Sequence, residues 1–189
     1  MIVSLASAMT PFRLILLTLL FCSAMFAVAQ RDVDSYIHRY DSLAVSIMLK
    51  HQFPASLLLG LAIHESGAGT SRLSREQCNH FGMKGKAPSS KTKSGYAFKH
   101  LEFETDEASF FHFAALITNK KFYKDLKGNP DPLIWLKALK RSGYAASAKW
   151  VARVNNIIKK YNLTNLDKPL ADSLQLRDHL KIDTLKIAQ

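Results

Sequence analysis

The chain has 189 residues, of which 48% are hydrophobic and 22% charged, which is the balance of a globular protein and argues against intrinsic disorder. Lys and Arg number 26 against 15 Asp and Glu, so the formal net charge is +11 and we expect an anionic surface or polymer as the partner. Nucleic acid, acidic lipid and bacterial cell-wall polymers all satisfy that expectation. The two cysteines exclude a disulfide-rich scaffold, and without a CxxC or Cys/His cluster we expect neither a metal nor a cofactor.

The first 29 residues have the pattern of a signal peptide. Arg13 precedes an apolar stretch from Leu14 to Phe26, and the small residues Ala27 and Ala29 then flank Val28. This predicts cleavage after Ala29 and export to the periplasm or the cell exterior. The alternative is an uncleaved membrane anchor, although the stretch is shorter than the ~20 residues that a spanning helix needs.

Beyond residue 30, apolar residues recur every three to four positions, which is the spacing of a buried helix face. The pattern predicts helices over residues 34–50, over 55–64 after Pro54, from Asp106 onward, from Asp131 to Gly143 and over 147–161. Between Gly82 and His100 the pattern gives way to Gly, Lys, Ser and Thr, which predicts a loop with a β-hairpin. Residues 164–189 are predicted to form a terminal helix or a tail.

The second predicted helix carries a carboxylate on its apolar face. Leu58, Leu61, Ala62 and Glu65 are spaced three, four and seven residues apart, so they share one face. Burial and the negative end of the helix dipole both favour a protonated carboxyl there, as a general acid requires. The alternative is a structural Glu that caps a loop or pairs with a lysine. A zinc site is not expected, because Ala68 stands where a second histidine after His64 would be needed.

Several motifs then resemble one known family. The segment Ala62-x-x-Glu65-Ser66-Gly67-x-Gly69-x-Ser71, followed by Asn-His-Phe-Gly-Met-Lys at 79–84, is similar to glycoside hydrolase family 73, the bacterial cell-wall N-acetylglucosaminidases. Segments 103–110, 121–123 and 143–145 follow in the family's order, and the resemblance covers residues 53–161. It implies a mainly α, lysozyme-like (α+β) domain over residues 30–163, with a helical lobe and a small β-hairpin lobe across a cleft.

The resemblance also implies roles for individual residues. Glu65 would be the general acid, and Tyr144 would line the cleft opposite it, with a hydroxyl that holds the sugar or the attacking water. The residues that would bind substrate are Phe81, Gly82, Lys84 and Ala145. Taken singly, Phe81 and Tyr144 could instead be ordinary packing residues and Lys84 a solvated surface charge.

The sequence departs from the family at one position that matters for mechanism. Many members carry a second Glu in the hairpin, whereas residues 86–99 here contain no acid. Glu104 is the candidate for a catalytic base or nucleophile, with Glu102 and Asp106 nearby. Glu104 and Asp106 could equally be helix-start residues, in which case the substrate's own N-acetyl group would replace the second carboxylate.

The function that follows is an exported, monomeric peptidoglycan hydrolase that cleaves the β-1,4 bond following N-acetylglucosamine. Its partner would be the glycan strand, with peripheral contact to the cell wall. A lytic transglycosylase, which forms an anhydro-sugar, would also use a single Glu in a Glu-Ser-Gly setting. A non-catalytic basic protein that binds wall or nucleic acid is the third reading, but it leaves Glu65 unexplained, and no nucleic-acid-binding motif is present.

Overall fold

The computed structural model describes residues 33–85 and 100–172, which are mainly helical. The elements in chain order are α1 (33–51), α2 (Ala55–Ser66), α3 (Arg72–Gln77), α4 (Asp106–Thr118), α5 (Tyr123–Leu126), α6 (Pro132–Arg141), α7 (Trp150–Lys160), a 3-10 helix (Leu163–Asp167) and a helical stretch over 168–172. None of these described helices is long and apolar enough to cross a membrane. Within the same residues no β-strand forms, and Lys84 and His100 make one isolated antiparallel bridge.

Helix α2 is the centre of the domain. Every residue from Ala55 to Ile63 is buried, as expected for a helix that is apolar on all sides. Helices α6 and α7 and the 3-10 helix pack against it. The approach of α7 is very close at Gly60, where a Cβ atom would lie 2.5 Å from Ile158 Cγ1. Gly60 therefore lets α7 lie directly on the helix that carries Glu65.

Both ends of α2 are fixed by specific contacts. At the start, Pro54 offers no side-chain cap, and the buried Asp167 of the 3-10 helix accepts hydrogen bonds from the Ser56 backbone N–H (2.9 Å) and hydroxyl (2.5 Å). Burial raises the pKa of Asp167, and the hydrogen bonds from Ser56 partly oppose that rise. At the other end Gly67 adopts φ 59°, the left-handed conformation that closes a helix with least strain in glycine.

The predicted helices are present with shifted boundaries. Helix α2 continues two residues past His64, to Ser66, and α7 begins at Trp150 instead of residue 147, because Ser147 and Lys149 form the turn that precedes it. The sequence pattern did not reveal α3, α5 or the 3-10 helix. The predicted signal peptide, the hairpin at 86–99 and residues 173–189 lie outside the described residues, so the β-hairpin lobe stays a prediction.

Candidate active site

A cleft of about 670 Å³ opens beside the last turn of α2. Three parts of the chain meet there: the end of α2, the loop at 81–84 with its partner residues 100–101, and the segment that joins α6 to α7. Helix α4 contributes the remaining wall. The residues that line the cleft include Glu65, Phe81, Gly82, Lys84, His100, His112, Tyr144, Ala145 and Trp150.

Glu65 is half-buried in this cleft, and both of its carboxylate oxygens have identified neighbours. Oε1 accepts a hydrogen bond of 2.8 Å from the indole N–H of Trp150. A Cβ atom at Gly82 would lie 4.0 Å from Oε2, so the second oxygen faces the backbone of the 81–84 loop. The carboxyl group is thus held by one oxygen and presents the other to the cleft.

Trp150 belongs to this site, although its spacing in the sequence indicates only the inner, apolar side of the predicted helix over 147–161. It is the first residue of α7 and only 4% exposed, and its ring packs against Tyr144 with centroids 5.5 Å apart. A buried indole N–H requires an acceptor. The sequence shows Glu65 as an acid on an apolar face and Trp150 as an indole on the inner side of a helix, but it does not show that the two residues pair.

Tyr144 lines the cleft, and its hydroxyl is engaged within the protein. It donates a 3.0 Å hydrogen bond to the backbone carbonyl of Phe81, and its ring packs edge-on against Phe113. Burial and the nearby charge of Glu65 raise the pKa of Tyr144, so the phenol stays protonated. The single hydroxyl proton therefore holds the 81–84 loop, and only the oxygen lone pairs are available to a sugar or a water.

The predicted substrate-binding residues all reach the cleft, in different ways. Phe81 is 2% exposed and stacks on Phe113 at a centroid distance of 4.2 Å, so its side chain belongs to the core beneath the cleft. Gly82 and Ala145 line the wall half-buried, and Lys84 is exposed at the rim. His100 and His112 also line the cleft and were not singled out in the sequence.

The loop from 79 to 84 is clamped by Asn79, which is 1% exposed. Its side-chain oxygen accepts from the Met83 N–H at 2.9 Å, and its amide nitrogen donates to the carbonyls of Met83 (2.9 Å) and Leu101 (2.8 Å). Asn79 thus ties the loop to the chain segment on the other side of residues 86–99. Asn79 belongs to the segment at 79–84 that resembles the family, but the sequence alone does not assign it this role.

The structure does not bring Glu104 into the cleft. Glu102 and Glu104 are exposed, and Thr105, the next residue, caps α4 by accepting from the Ala108 N–H. Of the two readings given to Glu104, the structure favours a residue at a helix start. Among the described residues, Glu65 is the one carboxylate that lines the cleft.

Asp106 belongs to a second cluster, which joins α1 to α4. Its Oδ2 accepts from the Tyr40 hydroxyl at 2.5 Å, and its Oδ1 lies 2.9 Å from His80 Nε2. His80 Nδ1 in turn lies 2.7 Å from the Tyr36 hydroxyl. Burial acts to raise the pKa of Asp106, but the contacts with Tyr40 and His80 outweigh it and the pKa is lowered.

No group of three His, Cys, Asp or Glu side chains in residues 33–85 and 100–172 is arranged to hold a metal ion. The ionisable groups that the described residues bring to the cleft are the carboxyl of Glu65, the hydrogen-bonded hydroxyl of Tyr144, one lysine and two histidines.

Comparison with known proteins gives one family match and several structural likenesses. The profile of the family described as "Glucosaminidase: Mannosyl-glycoprotein endo-beta-N-acetylglucosaminidase" matches residues 41–163. The catalytic domain of the autolysin Auto from Listeria monocytogenes is 19% identical, covers 71% of this chain and 87% of its own, and has a TM-score of 0.58. The curated proteins include no match to this chain.

Two further solved structures resemble the chain. The glycoside hydrolase domain of FlgJ from Salmonella typhimurium is 20% identical and covers 77% of this chain and 98% of its own, with a TM-score of 0.56. A peptidoglycan hydrolase from Sphingomonas sp. A1 is also 20% identical, covers 72% and 94%, and has a TM-score of 0.57. At such identities the likeness shows the fold, and it confirms the helical part of the predicted architecture.

Proposed function

The chain belongs to the glucosaminidase family, glycoside hydrolase family 73, and on that basis we propose that it hydrolyses peptidoglycan at the β-1,4 bond following N-acetylglucosamine, with Glu65 as general acid. One observation carries the assignment of the acid: Glu65 alone among the described carboxylates lines the cleft, and Trp150 holds it there. The structures of an autolysin and of a peptidoglycan hydrolase that share the fold support this choice of substrate.

The first chemical step is cleavage of the bond between the anomeric carbon and the bridging oxygen. Glu65 delivers its proton to that oxygen while the bonding electron pair moves onto it, so the leaving sugar departs as a neutral alcohol. General acid catalysis of this kind contributes about 10²- to 10⁴-fold to the rate. The Trp150 N–H fixes Oε1, which leaves Oε2 as the oxygen that carries the proton toward the glycan.

The same step needs a group to stabilise the positive charge that develops at the anomeric carbon as this bond breaks. Because Glu104 is exposed and outside the cleft, we assign this role to the carbonyl oxygen of the substrate's own N-acetyl group. It bonds to the anomeric carbon and forms a cyclic intermediate. In the second step water attacks that carbon and displaces the carbonyl oxygen, which restores the N-acetyl group. The Glu65 carboxylate, which gave up its proton in the first step, accepts one from the attacking water.

Product analysis tests this function directly. Purified peptidoglycan is digested with the protein and the released fragments are analysed by mass spectrometry before and after borohydride reduction. The proposal predicts reducing N-acetylglucosamine ends. Non-reducing anhydro-sugar ends, one water lighter, would identify a lytic transglycosylase instead. The absence of any cleavage, with the protein folded, would support the non-catalytic basic binding protein.

The cellular location belongs to the same proposal. An enzyme that cuts peptidoglycan must reach the wall, and the pattern around Arg13 and Ala29 supports export with a mature start at Gln30. N-terminal sequencing of the exported protein tests this start. An uncleaved protein recovered from the cytoplasm, beginning at Met1, or at Met9 if translation starts there, would contradict it.

A further inference from the structure

Apart from Glu65, the described wall of the cleft carries basic side chains and no acidic ones. The other ionisable side chains of the described residues that line it are Lys84, His100, His112 and the protonated Tyr144. Within residues 33–85 and 100–172, no carboxylate lies within ion-pair distance of Lys84. The rim therefore presents an ammonium group that no described acid neutralises, together with two imidazoles.

Lys84 and His100 are held as a pair by the backbone. They form an antiparallel bridge, and directly opposed residues in such a bridge project from the same face with Cβ atoms about 4.5–5.5 Å apart. The Leu101 N–H donates to the Met83 carbonyl at 2.8 Å beside this bridge. The side chain of Asn79 donates hydrogen bonds to the carbonyls of Met83 and Leu101, one on each side of the bridge. The spacing of the two side chains at their base is thus fixed without a ligand.

His112 completes this wall from helix α4. Its ring lies against that of Phe103, with centroids 5.4 Å apart, which restricts its orientation at the cleft edge. An imidazole offers at least one N–H donor in either protonation state, and an ammonium offers three donors and no acceptor. Such a wall suits a group that only accepts hydrogen bonds and carries negative charge.

We propose that Lys84, His100 and His112 form a carboxylate subsite, so that the cleft prefers a glycan with free carboxylates over a neutral N-acetylglucosamine polymer. This inference rests on the proposed function, which makes the glycan of peptidoglycan the ligand. Two parts of peptidoglycan carry such carboxylates: the lactyl group of a muramic acid that has lost its peptide, and the free carboxylates of an attached stem peptide.

Binding to a protein that cannot turn over tests the subsite separately from catalysis. The Glu65→Gln variant is titrated by calorimetry with peptide-free glycan strands and with the same strands after carbodiimide-activated borohydride reduction of their lactyl carboxylates to alcohols. We expect the acidic strands to bind about tenfold more tightly, the effect of one charge-assisted hydrogen bond at an exposed site. Because Lys84 is exposed, this preference should shrink as salt is added.

Substitutions then assign the preference to the wall. In the Glu65→Gln background, Lys84→Met and, independently, His100→Gln should remove most of it. Lys137→Met is the matched control, because Lys137 is an exposed lysine of α6 that does not line the cleft. A melting curve of each variant verifies folding.

A second pair of titrations identifies which carboxylate binds. It uses peptide-bearing glycan before and after reduction of its carboxylates, and a preference found only with this pair assigns the carboxylate to the stem peptide.

Equal binding of acidic and reduced glycan in both pairs, or no binding to either, would overturn the subsite. A preference that survives Lys84→Met and His100→Gln, or that Lys137→Met removes to the same extent, would do so as well. The two proposals fail differently. If wild-type protein cleaves no glycan but keeps the preference, the proposed function falls and the carboxylate subsite stands. If it cleaves acidic and reduced glycan alike and binds both alike, the carboxylate subsite falls and the proposed function stands.

Discussion

At the scale of single residues, the site depends on a carboxyl group whose position is set by another side chain. Glu65 lies in the last turn of an apolar helix, and the indole N–H of Trp150, 85 residues further along the chain, donates to its Oε1. A hydrogen bond to a charged group, or to a group on which charge develops, contributes about 1.5–3 kcal/mol. In the proposed reaction Trp150 is accordingly a positioning residue, because it acts through Glu65.

Replacing Trp150 with Phe keeps an aromatic ring against Tyr144 and removes the N–H donor. We expect turnover of peptidoglycan to fall about tenfold, which is the rate equivalent of losing one such hydrogen bond. The matched control is Trp135→Phe, since the buried Trp135 donates its own N–H to the Asn129 carbonyl at 2.9 Å and does not line the cleft. The control should lose stability and keep its turnover per folded molecule; equal losses of turnover would contradict the role of Trp150.

Tyr144→Phe removes the hydroxyl that donates to the Phe81 carbonyl. An unpaired buried carbonyl costs about 1–3 kcal/mol, so the free energy of unfolding should fall, in contrast to a tyrosine whose hydroxyl serves substrate alone. Turnover should fall too, because the 81–84 loop loses its tie to the cleft wall. Chemical denaturation and turnover measured on one preparation check both effects. Unchanged stability would show that this hydrogen bond is dispensable.

At the scale of elements, helix packing decides where Glu65 and Trp150 meet. Gly60 in α2 permits α7 to lie close, and α7 begins with Trp150. The cluster of Tyr36, Tyr40, His80 and Asp106 joins α1, the loop before the cleft and the first turn of α4. The first contact sets the position of Trp150, and the second anchors His80, the residue that precedes the 81–84 loop.

The direction in which Gly60→Ala changes the free energy of unfolding tests the contact between α2 and α7. In an ordinary helix interior this change stabilises by about 0.5–1 kcal/mol. Here the added Cβ would lie 2.5 Å from Ile158 Cγ1, so we expect a destabilisation of about 1–3 kcal/mol from overpacking. Turnover should also decrease because Trp150 moves with α7. Urea denaturation measures the free energy, and a more stable protein would contradict the close contact.

The Asp106 cluster predicts a pH dependence of stability. The pKa of Asp106 is lowered from 3.8, so its ionised form stabilises the fold above that pH, and the contribution is lost as pH falls from 3.8 through the lower folded-state value. Asp106→Asn should lower Tm at pH 7, and the difference from wild type should shrink below pH 3.8. Thermal melts from pH 7 to about 2.5, with Glu102→Gln as an exposed control, check this. A constant difference across the series would exclude the ionised carboxylate as the cause.

At the scale of the whole molecule, the sequence predicted those parts whose residues signal their own environment. The apolar run of α2, the starts of α4 and α6 near Asp106 and Asp131 and the lone acid Glu65 all stand out in sequence, and the structure places them accordingly. Helices α3 and α5 have six and four residues, too few for a periodic pattern. The pairs of Trp150 with Glu65 and of Tyr144 with Phe81 depend on tertiary packing across 85 and 63 residues, which local periodicity does not encode.

The central claim is that one protein carboxyl group performs the acid chemistry in a cleft that contains no other described carboxylate. The decisive measurement is the rate of muropeptide release from purified peptidoglycan by Glu65→Gln beside Glu104→Gln. Glutamine keeps the shape of Glu65 but cannot donate the proton, so we predict a loss of at least about 10²-fold for Glu65→Gln, an unchanged melting temperature, and near-normal release by Glu104→Gln. Release by Glu65→Gln above about a tenth of the normal rate, or a loss in Glu104→Gln as complete as in Glu65→Gln, would contradict the account.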